Sequence, residues 1–283
     1  MYLGDQMYRV EKVLNHNALI GILDNTTQEY LIMGKGIGFG KHVSETIEVS
    51  EEHKVYSLKE STERGGKKEL ATSIDPVYLE IANEILDRAE AAFKTIDRDV
   101  MLPLADHIEF AVKRSKNNEQ LRNPLTDDIR VLFHAEFKVA ENAKGLLKER
   151  LDVELTDDEI GYIALHIHSS IMDQAVSSAM QMAEAVRECV TMVEKETGKK
   201  IDTTSLSYNR LLNHIRYMIA RTMNGEVIKL DMNDYINASA ANSFKMSQKI
   251  CKELGVSLGK EIHQAEIGYL AMHIERVALD EMN

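Results

Sequence analysis

Tryptophan is absent from this chain, and proline (three) and cysteine (two) are scarce. Cys189 and Cys251 stand far apart without metal-ligand spacing. That excludes a disulfide scaffold and a cysteine-based zinc site, and it suits a reducing compartment, here expected to be the cytoplasm. No apolar stretch approaches the ~20 residues of a membrane span, so no membrane insertion is expected. The N-terminus also lacks the basic segment and apolar core of a secretory signal. Positive charge is in short supply: 34 Lys and Arg against 46 Asp and Glu leave a net charge of −12. A chain so acidic is no nucleic-acid binder along its whole length. What is present describes an ordinary globular protein, 44% hydrophobic and 28% charged. The few prolines and 14 methionines point to a mostly helical one, and 283 residues allow two or three domains.

The pattern changes near residue 60. Before it the apolar period is close to two: Tyr8, Val10 and Val13, then Ala18-Leu-Ile-Gly-Ile-Leu23, Tyr30-Leu-Ile-Met33, Ile47 with Val49, and Val55-Tyr56. These predict short strands, with Asp24-Asn-Thr-Thr-Gln28 as a polar turn. Residues 59–70 are charged and contain Gly65-Gly66, which predicts a linker between a β domain at 1–58 and the rest. A domain of that size buries a modest core, a reason to expect dimerisation. From Ile74 onward the period is helical. Asp75-Pro76 is a start signal, helices are predicted near 100–115, 125–150 and 157–175, and Thr156 to Glu159 has capping-box spacing. A second helical set covers 177–280.

The helical part is written twice. Glu159-Ile-Gly-Tyr-Ile-Ala-Leu-His-Ile167 and Glu266-Ile-Gly-Tyr-Leu-Ala-Met-His-Ile274 are identical at seven of nine positions. The same offset of 107 residues lays His107-Ile-Glu-Phe-Ala-Val-Lys-Arg114 on His214-Ile-Arg-Tyr-Met-Ile-Ala-Arg221. One offset over two separate segments means duplication, which divides the helical part into 71–174 and 175–283. A lone histidine on an amphipathic helix is ordinarily a half-buried residue with a satisfied hydrogen bond. Four at repeat-equivalent positions (His107, His166, His214 and His273) argue for a role instead. His168 sits about 200° round the helix from His166, and its equivalent is Glu275, so His166 is the favoured member.

Two chemistries suit such pairs. A metal site, as in a helical metal-dependent hydrolase using His107, His166 and Asp106, needs further converging ligands. Asp106 is replaced by Asn213 in the second copy, and no His-Glu-x-x-His pattern occurs. The other chemistry is reversible phosphorylation of a neutral imidazole, which adds nearly two negative charges. An arginine such as Arg114 or Arg221 would attract that phosphate. The β domain holds a second motif, Gly34-Lys-Gly-Ile-Gly-Phe-Gly-Lys41, with four of the 15 glycines. It is neither a Walker loop nor a dinucleotide fingerprint. Read plainly it is a glycine-rich turn. Read functionally, its backbone approaches a flat ligand, Phe39 stacks, Lys35 or Lys41 meets phosphate, and Asn17 bonds a base edge. Residues 1–58 carry five Lys or Arg and eight Asp or Glu, so RNA binding there would rest on shape and stacking.

Taken together, Glu11-Lys-Val-Leu-Asn-His-Asn17, Met33-Gly-Lys-Gly-Ile-Gly-Phe39, Asp106-His-Ile and Ala164-Leu-His-Ile resemble the sugar-responsive transcriptional antiterminators, most of all their glucose branch. The resemblance runs from about Tyr8 to Ala278. It implies a multidomain fold: a small all-β RNA-binding domain followed by two duplicated all-α helical-bundle regulatory domains. It implies no enzyme, no cofactor and no metal. It also implies a homodimer that binds an imperfect leader mRNA hairpin through Lys12, Asn17, Gly34, Lys35 and Phe39. The implied phosphate acceptors are His107, His166, His214 and His273, served by the sugar permease of the phosphotransferase system (EIIB) and by HPr. The family's run of three asparagines is broken here by His16, and residues before Met7 lie outside the pattern, so the true start is expected at Met1 or Met7.

Overall fold

The computed structural model describes residues 6–59, 61–62, 65–119, 121–172, 175–198, 200–201 and 205–280. The expected extension ahead of Met7 lies, through residue 5, outside them, as do positions 60, 63 and 64 of the expected linker. By packing, the chain forms two units: Met1–Asn123 with Ala135–Gln174, and Pro124–His134 with Ala175–Asn283. The architecture is a small β domain followed by duplicated helical bundles, as the alternation and the repeat require. No helix among the described residues is long and apolar enough to cross a membrane.

Five antiparallel strands open the first unit: β1 Gln6–Asn15, β2 Ala18–Leu23, β3 Glu29–Met33, β4 Thr46–Val49 and β5 Lys54–Ser57, in the order β4-β1-β2-β3-β5. Alternation on β1 buries Tyr8 and Val10 on one face, where they meet Leu19, Ile32, Ile37, Ile47 and Val49. The run Ala18 to Gly21 does not alternate, because β2 is central and Ile20 and Leu31 are fully buried as well. β2 thus has both faces covered within one chain, and an unfinished core there is no reason for dimerisation. Register shifts in β1 between Val10 and Lys12 and between Val13 and Asn15 bring the strand to a tight hairpin at His16-Asn17.

The stretch expected as a linker holds structure. Ser61–Thr62 (β6) pairs with Gly65–Gly66 (β7), and α1 spans Lys67–Ser73. Lys67 is buried with Nζ 2.9 Å from Asp99, and Lys68 bonds Glu11 and Glu29. Charges that read as solvent-facing are therefore paired within the fold.

The first unit continues with α2 (Pro76–Phe93), α3 (Met101–Lys116), α5 (His134–Ala140), α6 (Asn142–Leu151) and α7 (Asp157–Met172). The second contains α4 (Thr126–Leu132), α8 (Val176–Thr197), α9 (Leu206–Asn224), α10 (Asn233–Ser239), α11 (Ala241–Leu258) and α12 (Ala265–Asp280). At Asp75-Pro76 the expected start is built: the Asp75 carboxylate accepts from the Val77 N–H, with proline at the first turn. The single helix expected over 125–150 is three. Phe133 leaves helical geometry at φ −118°, ψ 45°, and buried residues before it (Ile129, Leu132) belong to the second unit. Those after it (Phe137, Ala140, Ala143) belong to the first. One continuous period therefore serves two cores. Both cysteines are buried, which pushes the Cys251 thiol up to about 12 and raises that of Cys189 too.

Candidate functional sites

Within the first unit, α3 packs against α7 and sets His107 beside His166, with ring centroids 5.6 Å apart. In the second, α9 packs against α12 and sets His214 beside His273 at 4.9 Å. A tyrosine one turn before the later histidine attends each pair, Tyr162 at 5.5 Å from the His107 ring and Tyr269 at 6.2 Å from that of His214. His168 stands apart from the first pair, its Nδ1 2.9 Å from Glu136 Oε1.

Each pair is backed by a buried ion pair. Arg114 donates twice to Glu159, both at 2.9 Å, and Arg221 donates twice to Glu266 at 2.7 and 3.0 Å. The carboxylates are almost sealed, with Glu159 4% and Glu266 1% exposed. A buried carboxylate is tolerated only with such bidentate, charged partners. The histidines complete the arrangement: Glu159 Oε2 lies 3.3 Å from His107 Nε2, and Glu266 Oε2 lies 3.7 Å from His214 Nε2. Neither contact is a hydrogen bond, the second being too long for one, so both nitrogens are buried without one, as is Nδ1 of His273.

Electrostatics follow from this burial. Burial raises the Glu159 carboxyl, but contacts with His107 and Arg114 outweigh it and hold the group below the usual carboxylate range. Burial, then the positive charges of His273 and Arg221, push His214 down to about 3. His273 is lowered as well, by burial first and then by Arg276 and Arg210. Both shifts favour the neutral imidazole, the nucleophilic form, in the second pair.

Sequence reasoning assigned Arg114 and Arg221 to an incoming phosphate, whereas both guanidiniums are engaged by the glutamates. Glu159 and Glu266 were passed over as site residues. The signal was available, since each is the first residue of the repeated nonapeptide and stands 45 positions after its arginine in both copies. Among the described residues no three His, Cys, Asp or Glu side chains are grouped to hold a metal ion. The trio His107, His166 and Asp106 of the hydrolase alternative is therefore not a built centre.

The glycine loop is organised around the β1–β2 hairpin. Gly34 N donates to Asn17 O and Gly36 N to Asn17 Oδ1, each at 2.9 Å, while Gly38 N donates to His16 O at 3.0 Å. Gly36 has φ +74°, and a Cβ on Gly38 would stand 2.1 Å from Asn15 O. Side chains are excluded at both positions by backbone, not by flexible neighbours. The loop lifts Phe39 into solvent, 68% exposed, with His16 edge-on to its ring at 5.2 Å. Lys12 and Lys35 are exposed, but Lys41 is tied to Glu45 at 2.7 Å. Asn15 and Asn17 are engaged: both Nδ2 atoms donate to Glu80 Oε1 on α2, at 2.8 and 3.2 Å. The face can stack an aromatic base on Phe39 and offer ammonium groups and a glycine backbone beside it.

Comparison with known proteins bears on both sites. The family described as PRD domain matches residues 79–170 and 187–277, and the CAT RNA binding domain matches residues 8–65. A GlcA/glcB genes antiterminator from Staphylococcus carnosus is 33% identical over 274 residues, covering 94% of each chain. Protein GlcT of Staphylococcus haemolyticus is 33% identical over 276 residues, covering 94% of this chain and 95% of that one. A β-glucoside operon antiterminator from Dickeya chrysanthemi is 25% identical over 280 residues, covering 95% and 96%. A solved structure described as GlcT CAT-PRDI matches 59% of this chain and 99% of its own, at 32% identity and a TM-score of 0.49.

Proposed function

The chain belongs to the transcriptional antiterminators that join a CAT RNA-binding domain to two PRD domains, and on that premise we propose how its parts act. Residues 1–58 bind an imperfect hairpin in a leader mRNA and keep the overlapping terminator from forming, so that a sugar phosphotransferase-system operon is transcribed. Phe39 stacks a base, Lys12 and Lys35 meet phosphates, and Asn17 and Gly34 contact the strand with amide and backbone. Residues 71–174 and 175–283 are the two regulatory domains, reached through 59–70. The names of the Staphylococcus relatives support the glucose-type branch.

The regulatory chemistry is phosphoryl transfer to His107, His166, His214 and His273. A neutral imidazole nitrogen attacks phosphorus; the new N–P bond forms as the donor's bond to phosphorus breaks, and the ring takes up positive charge until the proton on its other nitrogen is lost to solvent. Glu159 and Glu266, held by Arg114 and Arg221, face His107 and His214 and stabilise that charge. The product carries nearly two negative charges beside a buried carboxylate whose arginine is already engaged. Repulsion then forces the packing around the pair to change. In this scheme the sugar permease (EIIB) phosphorylates the first domain and opposes an active homodimer, and HPr phosphorylates the second and favours it. The protein is a cytoplasmic switch that accepts phosphate and turns over no substrate.

The observation that carries this reading is the recurrence of one arrangement in both copies: two close histidine rings backed by a buried Glu–Arg pair. Incubation of the full chain with the phosphotransferase relay, followed by mapping of phosphohistidine, tests it. Label on the four histidines is expected, and none on any of them would sink the switch. Titration of the full chain with bulged RNA hairpins and with duplex DNA tests the β domain; preference for DNA would overturn the RNA assignment.

A further inference from the structure

Helix α2 turns one acidic face toward the sheet. Glu80, Asn83, Asp87 and Glu90 follow one another at helical spacing, covering about 15 Å of helix at 1.5 Å per residue. Every one meets a group of the β domain. Glu80 Oε1 accepts from Asn15 and Asn17 at 2.8 and 3.2 Å, and Asn83 Oδ1 accepts from the Tyr56 hydroxyl at 2.6 Å. Lys54 Nζ stands 3.9 Å from Asp87 and 3.5 Å from Glu90. Arg98 is closer to both, at 2.8 and 2.7 Å, and also donates to Asn83 Oδ1 at 2.8 Å, which leaves Glu80 as the carboxylate of this face given to the hairpin. Glu80 therefore sets a carboxylate oxygen against two amide N–H donors, the pairing that phosphates and base carbonyls make with a protein.

We infer that Glu80, on this face of α2, is an internal competitor for RNA. The inference rests on the proposed RNA face. Asn17 Oδ1 accepts from Gly36 N, and one of the two N–H groups on its Nδ2 is given to Glu80, so a ligand reaching this amide meets a carboxylate already bonded there. A phosphate arriving at Asn15 and Asn17 meets a carboxylate there and is repelled. Glu80 is steadied from the other side, with Arg150 of α6 3.8 Å from its Oε2. RNA binding thus requires α2 to withdraw from the hairpin turn, while Phe39 stays open for first contact. Because α3, which carries His107, packs on α2, charge added at His107 acts one helix away from this contact.

The test uses the full unphosphorylated chain, a pool of RNA hairpins with internal loops, and one fixed salt concentration. Glu80→Ala is expected to tighten binding by about five- to tenfold, a charged hydrogen-bond contact released. Glu149→Ala, which removes the same charge from an exposed position on α6, is expected to leave it unchanged. If Glu80→Ala binds no tighter while Phe39→Ala abolishes binding, the RNA face stands and the competitor falls. If Glu149→Ala tightens binding equally, bulk charge explains the effect and the competitor falls again. No binding by either the parent chain or Glu80→Ala overturns the RNA face and the competitor together.

Discussion

In the first histidine pair the rings stand 5.6 Å apart and the carboxylate comes within 3.3 Å of His107; in the second the rings close to 4.9 Å while the carboxylate holds back at 3.7 Å. Both shifts oppose a proton on His214, since a neighbouring imidazolium repels and a more distant carboxylate attracts less. The residue before the first histidine of each pair differs too: Asp106 is buried, whereas Asn213 is exposed and donates to Asn209 O. A duplicated scaffold has kept its Glu–Arg support and changed the charge around it. Under the proposed phosphoryl transfer, the support would serve what the copies share, and the surrounding charge what separates them.

The largest effect is expected where the support is broken. Arg221→Ala leaves Glu266 buried without its bidentate partner, and removing one member of a buried pair costs about 3–5 kcal/mol. The arginine's partial exposure places the expected value near the lower figure. Arg114→Ala is expected to cost less, because Glu159 keeps His107 closer. Adding Glu266→Gln to Arg221→Ala should restore most of the loss. Urea unfolding of the three variants measures this, and equal costs for the two arginines would remove the difference drawn between the pairs.

Next comes acid sensitivity. His214 is pushed down to about 3 in the fold, against 6.5 when unfolded. Below pH 6.5 the unfolded chain binds a proton that the folded one does not, so stability falls as pH drops towards 3 and is fully present above 6.5. One proton corresponds to about 1.4 kcal/mol per pH unit. Unfolding between pH 6 and pH 5 should show at least that slope, and His214→Gln should lower it, leaving the part that His273 contributes. A slope untouched by His214→Gln would place the sensitivity elsewhere.

A smaller contrast lies at the helix starts. Thr156 Oγ1 accepts from the Glu159 N–H at 3.4 Å, and His263 Nδ1 takes over at the equivalent place, accepting from Ala265 at 3.3 Å. Both contacts are long, so Thr156→Ala and His263→Ala are each expected to cost about 0.5–1 kcal/mol. Thermal unfolding decides, and a cost above 2 kcal/mol at either position would mean more than a cap.

These details mark how far the sequence could be read. Alternation and the duplicated nonapeptide carried the strands, the helical bundles and the histidine positions, because local period and repetition are written in adjacent residues. The break at Phe133 was illegible, since the apolar period runs through it and only packing assigns its two sides to different cores. The pairing of Lys67 and Lys68 was hidden for the same reason: their partners lie 32 and more residues away. Glu159 and Glu266 were visible as repeated letters, but a carboxylate's partner depends on how two helices meet. Glu80 carried no signal at all, as nothing near it in sequence points to Asn15 or Asn17.

The smallest expected effect concerns the residue before the first histidine of each pair. If charge around a shared scaffold selects the phosphoryl donor, exchanging Asp106→Asn and Asn213→Asp should move the donors' preference. Each residue sits one position, about 100°, round the helix from its histidine, so it acts beside the histidine and not in line with it. A single partly screened charge there is worth roughly 0.5–1 kcal/mol, or about two- to fivefold in relative rate. The measurement is the ratio of label at His107 to label at His214 with each donor supplied separately. Movement of that ratio in opposite senses for the two donors is expected from the exchange. A ratio that stays fixed would leave Asp106 and Asn213 as variation between copies without a part in donor choice, which would have to come from residues elsewhere in each domain.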